Sequence, residues 1–412
     1  MLYSLSRFKI ARFAFATLLF IGLGSSACTS KRSDSAQALN SGSTTTGGST
    51  TGGPPSGTTT GGTTTGGSTS GGGSPPPAAG LSTSGNQLLL NGQPFLGRGV
   101  NLLTSRSCGA CAWMENFASE RGKAVAEVKR RIDFLQAKKV NFVRLLLETN
   151  EAEEYRNYLA SPVYRQEVQE IMAYLDSKPG IVVLLSVWMD PSLDALGLPT
   201  TTPPAGKVTS TRQILEALVD DFGKYPRVMW GLSNEPHTTS AAEDQTGWTR
   251  MNDLVAAIRA KEAQTGSSEH VIAVQGLRDW ARDLSYYVTH PITAGGGKNV
   301  VYEAHQYNPK SEFGRYFLNA ATTLPVIIGE FGPFAWGGVT QMDTPDFQEL
   351  IDQAEQKKFS YLAWAFHQRC PPNLIIDPQA GNWCEIRPEV EGPLQLSTWG
   401  IWFFDALASK AP

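Results

Sequence analysis

Positive charge is neither abundant nor clustered in this sequence. It has 35 lysines and arginines against 38 aspartates and glutamates, a formal net charge of −3. That leaves no electrostatic footprint for nucleic acid. The apolar stretch from Phe13 to Leu23 is too short to span a bilayer. No G-x-G-x-x-G follows the first strand-like run, which argues against a doubly wound dinucleotide-binding sheet. There is no H-E-x-x-H, and the globular part lacks G-x-S-x-G. The five histidines, His237, His270, His290, His305 and His367, show no metal-ligand spacing. No metal or other cofactor is expected.

Cysteine is also sparse. Of five, Cys28 lies near the N-terminus, and Cys108, Cys111, Cys370 and Cys384 lie in the globular part. An even count in an oxidising compartment reads as two disulfides, Cys108 with Cys111 and Cys370 with Cys384. Cys108-Gly-Ala-Cys111 has zinc-ligand spacing, but Cys370 and Cys384 form no second close pair. No strand-then-helix pattern frames the first pair as a thioredoxin-like motif.

Arg7, Lys9 and Arg12 precede the apolar stretch, and Gly24-Ser25-Ser26-Ala27-Cys28 follows it. Residues 1–27 therefore read as an export signal. The segment resembles a bacterial lipoprotein signal, in which the Cys after a small residue becomes lipidated. Ala27-Cys28 fits, whereas Ser25 stands where Leu is usual, so an outer-membrane or cell-surface lipoprotein and a simply secreted protein both stay open. A membrane enters only through a lipid on Cys28. From Ser41 to Pro77 the chain is almost wholly Gly, Thr, Ser and Pro, so residues 28–80 read as a disordered, flexible linker.

Gln87 to Phe95, with Asn91-Gly92 at its centre, predicts a small hairpin over one end of a larger body. Apolar runs then recur at Leu96–Asn101, Val140–Leu147, Ile181–Met189, Val228–Glu235, Val271–Gly276, Val300–Tyr307, Pro325–Phe331 and Tyr361–Phe366. Helical patterns separate them, as at Ala124–Lys138, Gln213–Phe222 and Trp248–Thr265. Eight parallel strands alternating with helices predict an α/β fold, a (β/α)8 TIM barrel over residues 81–412, with its chemistry on the loops after each strand. No separate carbohydrate-binding module is expected, because the barrel follows the tether directly.

The polar residues at those strand ends are Asn101, Arg144 with Glu148, Trp188 with Asp190, Asn234 with Glu235, His305 with Tyr307, Glu330 and Trp364, with Trp280 just beyond strand five. Glu235 and Glu330, on strands four and seven, face each other across the mouth. One protonated and one ionised carboxyl is the minimum equipment for cleaving a glycosidic bond. Trp and Tyr around them suit sugar faces.

Trp230-Gly-Leu-Ser-Asn-Glu-Pro236 resembles the Asn-Glu-Pro strand of glycoside hydrolase family 5, the cellulase family of clan A barrels. Val326-Ile-Ile-Gly-Glu330-Phe-Gly332 is similar to its nucleophile strand. Arg98-Gly-Val-Asn101, Asn141-Phe-Val-Arg144-Leu, Gly276 to Leu284, His305-Gln-Tyr307 and Ala363-Trp364 match in the same order. The resemblance implies Glu235 as general acid/base and Glu330 as nucleophile. It implies that Asn234 bonds the sugar 2-hydroxyl, that Arg144 and Tyr307 hold Glu330, that His305 lies near the acid/base, and that Trp364 underlies the −1 sugar. Arg144 would keep its carboxylate ionised, whereas Glu235 has no cation beside it in sequence and is free to carry the proton.

Strand three departs from the family pattern: Trp188-Met-Asp190 offers no His where Asp-Trp-His is common. This bears on the −1 hydroxyl contacts and hence on the sugar. The expected partner is a β-linked polysaccharide, cleaved as a retaining endo-β-1,4-glucanase would. β-Mannan, xyloglucan or another β-glucan remain alternatives, as does a non-catalytic surface polysaccharide-binding protein. Glu148 and Asp190 read as rim charges, His237 as a loop residue or a substrate contact, and Trp113, Trp336 and Trp383 as cleft lining or packing.

Overall fold

The computed structural model describes residues 80–103, 121–147, 158–188, 193–206, 209–336, 339–368, 371–376 and 393–410. Cys28, Cys108, Cys111, Cys370 and Cys384 lie outside them, as do Trp113, Glu148, Asp190 and Trp383. The side chain of Trp336 is also outside the described set.

The chain begins with a three-stranded antiparallel sheet, β1 (Leu81–Ser84), β2 (Gln87–Leu90) and β3 (Gln93–Pro94). Asn91 and Gly92 both take positive φ, 52° and 76°, which is the backbone a two-residue type I′ turn requires. The expected hairpin is thus β2–β3, and β1 adds a strand that the sequence reading lacked. Leu81, Leu88 and Phe95 are buried against Phe142, Leu184, Met229, Val301, Ile327 and Leu362. These six are inward-facing residues near the N-terminal ends of barrel strands, so the small sheet plugs the end of the barrel remote from the strands' carboxyl ends. Phe95 meets Phe142 edge-on, with centroids 6.1 Å apart.

The barrel strands are β4 (Arg98–Leu103), β5 (Phe142–Leu147), β6 (Val182–Val187), β7 (Val228–Gly231), β8 (Val271–Gln275), β9 (Val300–Gln306) and β10 (Val326–Phe331). A hairpin, β11 (Phe334–Trp336) and β12 (Val339–Met342), then precedes the last, β13 (Ser360–Ala363). They close in chain order, β13 pairing with β4, and every pairing is parallel. All eight expected strands are present. The fourth is shorter than expected: β7 ends at Gly231, and Asn234 and Glu235 stand in the turn after it. A further pair, β14 (Ile375–Ile376) and β15 (Gln395–Leu396), follows the barrel.

Helices α1 (Arg121–Ala137), α2 (Pro162–Asp176), α3 (Thr211–Phe222), α4 (Ala241–Thr265), α5 (Ser285–Thr289), α6 (Thr344–Lys357) and α7 (Thr398–Lys410) complete the alternation. Their starts are locally encoded. Ser161 caps α2 with Pro162 in its first turn, and Ser210 forms a reciprocal capping box with Gln213 on α3. Outward strand residues such as Leu145, Leu185, Trp230 and Ile328 pack with helix residues such as Ile132, Ile171 and Leu215 in one core. Strands covered on both faces need continuous apolar sequence, which is why these runs do not alternate.

One irregularity matters for function. Along β9–β10, Ile327 pairs with Glu303 and Ile328 with Ala304, but the next residue opposite His305 is Glu330. Gly329 is therefore an extra, bulged residue. Ile327 faces the barrel interior and Ile328 the outer core. Simple alternation from there would turn Glu330 outward, and the bulge turns it inward.

Candidate active site

The carboxyl ends of the strands converge on Arg144, whose side chain is wholly buried. Its Nη1 donates to Glu330 Oε1 at 2.6 Å and to Asn101 Oδ1 at 2.9 Å, and its Nη2 donates to Asn234 Oδ1 at 3.0 Å. Its Nε lies 3.0 Å from Glu303 Oε1. Asn101 in turn donates to the carbonyl of Gly329 at 2.9 Å, bracing the bulge that aims Glu330. Tyr307 donates its hydroxyl to Glu330 Oε2 at 3.0 Å. Both Glu330 oxygens therefore have a partner.

Glu235 approaches from the turn after β7 with φ of 50°, a left-handed conformation that is costly for a residue with a Cβ. Its amide donates to Gln275 Oε1 at 2.7 Å, which ties that backbone to β8. His305 Nδ1 lies 3.2 Å from Glu235 Oε1 and 3.4 Å from Glu330 Oε1, and its Nε2 lies 3.1 Å from Glu303 Oε1. One carboxylate oxygen from each of Glu235 and Glu330, and a ring nitrogen of His305, fall within 4.8 Å of one another. That spacing resembles a metal-ligand set, though the Glu330 oxygen in it is already engaged by Arg144 at 2.6 Å.

Burial raises the Glu330 carboxyl above its usual range and the nearby Glu235 adds to this, while His305 and Arg144 pull it back. The expectation that Arg144 alone dictates its ionisation is thus too simple: desolvation outweighs the cations. Burial works against the charge on Arg144, yet the carboxylates of Glu303 and Glu330 prevail and hold it above its usual value. Burial likewise opposes the charge on Glu303, and Arg144 and His305 overcome it, so its carboxyl sits below the usual range. For His305 burial again opposes the charge, and Glu330, Glu235 and Glu303 raise it to about 9. Burial and the charge on Glu330 push Tyr307 well up.

Above the carboxylates lies a cleft of about 770 Å³. Trp188 and Trp364 line it with centroids 5.7 Å apart. Trp280 lines it from the loop after β8, 53% exposed. His237, expected as a loop residue or a contact, stacks on Trp280 at 4.2 Å. Of the nine residues given catalytic or substrate-binding roles from sequence, Trp188, Asn234, Glu235, Trp280, Tyr307, Glu330 and Trp364 line the cleft, and Arg144 and His305 lie against Glu330 beneath it.

The sequence signature described as Cellulase (glycosyl hydrolase family 5) matches residues 91–369. The chain belongs to glycosyl hydrolase family 5. It is thus a glycoside hydrolase, and its barrel is that of other solved members. A β-glucanase of Saccharophagus degradans in complex with cellotetraose shares 20% identity at a TM-score of 0.57, over 80% of this chain and 93% of that one. The catalytic domain of an endoglucanase from Thermobifida fusca shares 16% at 0.57, over 80% and 97%. A mannohexaose complex of a Thermomonospora fusca β-mannanase shares 20% at 0.53, over 81% and 98%. No curated protein matches the chain in sequence.

Sequence reasoning missed Glu303 and Gln275, both fully buried beneath the site. A signal for Glu303 was present. Glu303 and His305 alternate along β9 and Tyr307 follows directly after it, so an acid there shares the inward face with the two residues already chosen.

Proposed function

We propose that this family 5 hydrolase is a retaining endo-β-1,4-glucanase acting by double displacement. The carrying observation is the proximity of the Glu235 and Glu330 carboxylates, with oxygens within 4.8 Å. This proximity supports the roughly 5–5.5 Å carboxyl separation of retaining enzymes over the roughly 6.5–9.5 Å of inverting ones, and with it direct attack by one carboxylate. Glu330, gripped by Arg144 and Tyr307, attacks the anomeric carbon. Glu235, which no arginine or lysine contacts among the described residues, protonates the leaving oxygen and later activates water.

Asn234 is oriented by Arg144 to face the 2-hydroxyl of the −1 sugar. Trp188 and Trp364 floor the glycone side. Trp280 and His237, on the loops next to Glu235, flank the leaving-group side. A β-glucan substrate is supported by this aromatic cleft and by the cellotetraose bound to a protein of similar fold. A purely binding surface would need aromatics but not a carboxylate with both oxygens engaged. Export with a lipid on Cys28 completes the reading. Sugar release from carboxymethylcellulose, mannan, xyloglucan and mixed-linkage glucan, compared side by side, tests it. Faster release from mannan or xyloglucan than from the glucans would reassign the substrate.

A further inference from the structure

Beneath the two carboxylates lies a third, Glu303, with no solvent exposure and no contact with the cleft. The double-displacement roles of Glu235 and Glu330 do not require it. Its Oε1 forms an ion pair with Arg144, 3.0 Å from Nε, and faces His305 Nε2 at 3.1 Å. Space for it is made by Gly329, where a Cβ would stand 2.1 Å from that same oxygen. A carboxylate buried at this cost in desolvation needs a function or compensating partners.

The protonation of His305 follows from its surroundings. Gln275 accepts from the Glu235 amide through Oε1, so its NH2 group can only donate; it stands 3.3 Å from His305 Nε2 and bonds Glu303, and with Nε2 protonated the two donors share the Glu303 carboxylate instead of bonding each other. A bare Nε2 would set a lone pair against the Glu303 carboxylate, so Nε2 carries a proton. Nδ1 then faces Glu235 Oε1 and Glu330 Oε1. In a neutral ring Nδ1 would be bare, and it would draw the Glu235 proton onto Oε1, towards itself and away from the substrate. In a charged ring Nδ1 donates to Oε1, and the Glu235 proton resides on Oε2, free for the leaving oxygen.

We propose that Glu303 is a positioning residue that holds His305 as an imidazolium, so that one fixed cation faces both catalytic carboxylates while negative charge passes between them. The inference rests on the roles given above to Glu235 and Glu330. In the first step a Glu330 oxygen bonds to the anomeric carbon, the glycosidic C–O bond breaks, and the leaving oxygen takes the proton of Glu235. The charge has moved from Glu330 to Glu235. In the second step water attacks the anomeric carbon and gives a proton to Glu235, the ester bond breaks, and the charge returns to Glu330. His305 keeps both protons throughout, and its Nδ1 lies within 3.2 Å of one carboxylate and 3.4 Å of the other. The other charged groups facing the ring are Glu303 from β9 and Arg144 from β5, whose charges offset each other. Preorganised charge of this kind acts without reorganisation at the moment of reaction. The raised proton affinity of His305 agrees with this state.

The test is histidine-selective 15N NMR of the whole enzyme without substrate, the His305 signals being assigned by their loss in His305→Gln. The wild type should show both ring nitrogens protonated at pH 7, with deprotonation only towards pH 9. In Glu303→Gln the ring should be neutral at pH 7, kcat should fall about a hundredfold, and KM should change little. The acid limb of kcat/KM should move to higher pH, because Glu330 loses a neighbouring cation.

A neutral His305 in the wild type at pH 7 would overturn the proposal and needs no variant. So would a Glu303→Gln enzyme that folds, keeps the imidazolium and moves its acid limb to lower pH, the response to losing only a negative charge. Glu303→Asp, which keeps the charge on a shorter arm, should retain the imidazolium and recover part of the lost kcat. These readouts are independent of which glycan is cleaved, and product stereochemistry tests the catalytic pair separately.

Discussion

A Cβ placed on Gly329 would lie 2.1 Å from Oε1 of Glu303 and 2.6 Å from its Cγ. The bulge that aims Glu330 and the buried acid beneath it thus share one space, and only glycine leaves room for both. Gly329→Ala should therefore cost about 1–3 kcal/mol of stability through overpacking, read from the denaturant midpoint. It should also lower kcat, because Glu303 and Glu330 must shift. Unchanged stability and unchanged kcat would show that the bulge accommodates a methyl group.

The Tyr307 hydroxyl donates to Glu330 at 3.0 Å and so favours its ionised form. Burial already lifts Glu330 above the ordinary glutamate value of 4.5. The acid limb of kcat/KM should accordingly lie above that value in the wild type, with activity lost as pH falls through it. Tyr307→Phe removes a bond to the charged form, so the limb should move further up in pH. A limb that stays put or moves down would mean that this bond does not support the nucleophile's charge.

The eight barrel strands were legible because strands buried on both faces must be apolar throughout, and the runs at Val300 and Val326 are unbroken except where the site begins. The end of β7 was not. Leu232 and Ser233 are buried as deeply as the strand itself, so composition gives no sign that the ladder stops at Gly231. The bulge at Gly329 was equally hidden, because alternation from Ile327 assigns Glu330 to the wrong face and only pairing with His305 corrects it. Glu303 was missed although its alternation with His305 places it on the inward face, because its partner Arg144 comes from another strand and only folding brings the two together.

Trp280 is 53% exposed and backed by His237, an arrangement suited to the face of a sugar on the leaving-group side. Trp280→Ala should raise KM for long glucans about two- to tenfold, the equivalent of about 0.5–1.5 kcal/mol of aromatic contact. Hydrolysis of an aryl β-glycoside with no sugar beyond the cleaved bond should be unaffected. Equal losses on both substrates would place Trp280 in the scaffold instead.

If Cys28 carries a lipid, Cys28→Ser should release soluble enzyme while the unaltered protein remains with membranes. Mass analysis of the mature N-terminus decides the matter, since an unlipidated wild type found wholly in the medium contradicts the anchor.

Among the described residues, Glu330 has Arg144, Tyr307 and His305 around it, whereas Glu235 has only His305 at its carboxylate and a backbone tie to Gln275. On the proposed roles, with Glu330 as nucleophile and Glu235 as acid/base, the two variants should fail differently. Glu330→Ala removes the nucleophile and should abolish turnover. Azide or formate entering the space should restore it and give product of inverted configuration, because the added anion attacks directly and no glycosyl-enzyme forms. Glu235→Ala should lose about two to four orders of magnitude on natural glycans and far less on substrates whose leaving group is already acidic and needs no proton. Its deglycosylation step should in turn become rate-limiting on those substrates, visible as a burst of leaving group. Proton NMR of the first product from the wild type should show retained configuration. An inverted first product, or near-normal turnover by Glu330→Ala, would require the two roles to be reassigned.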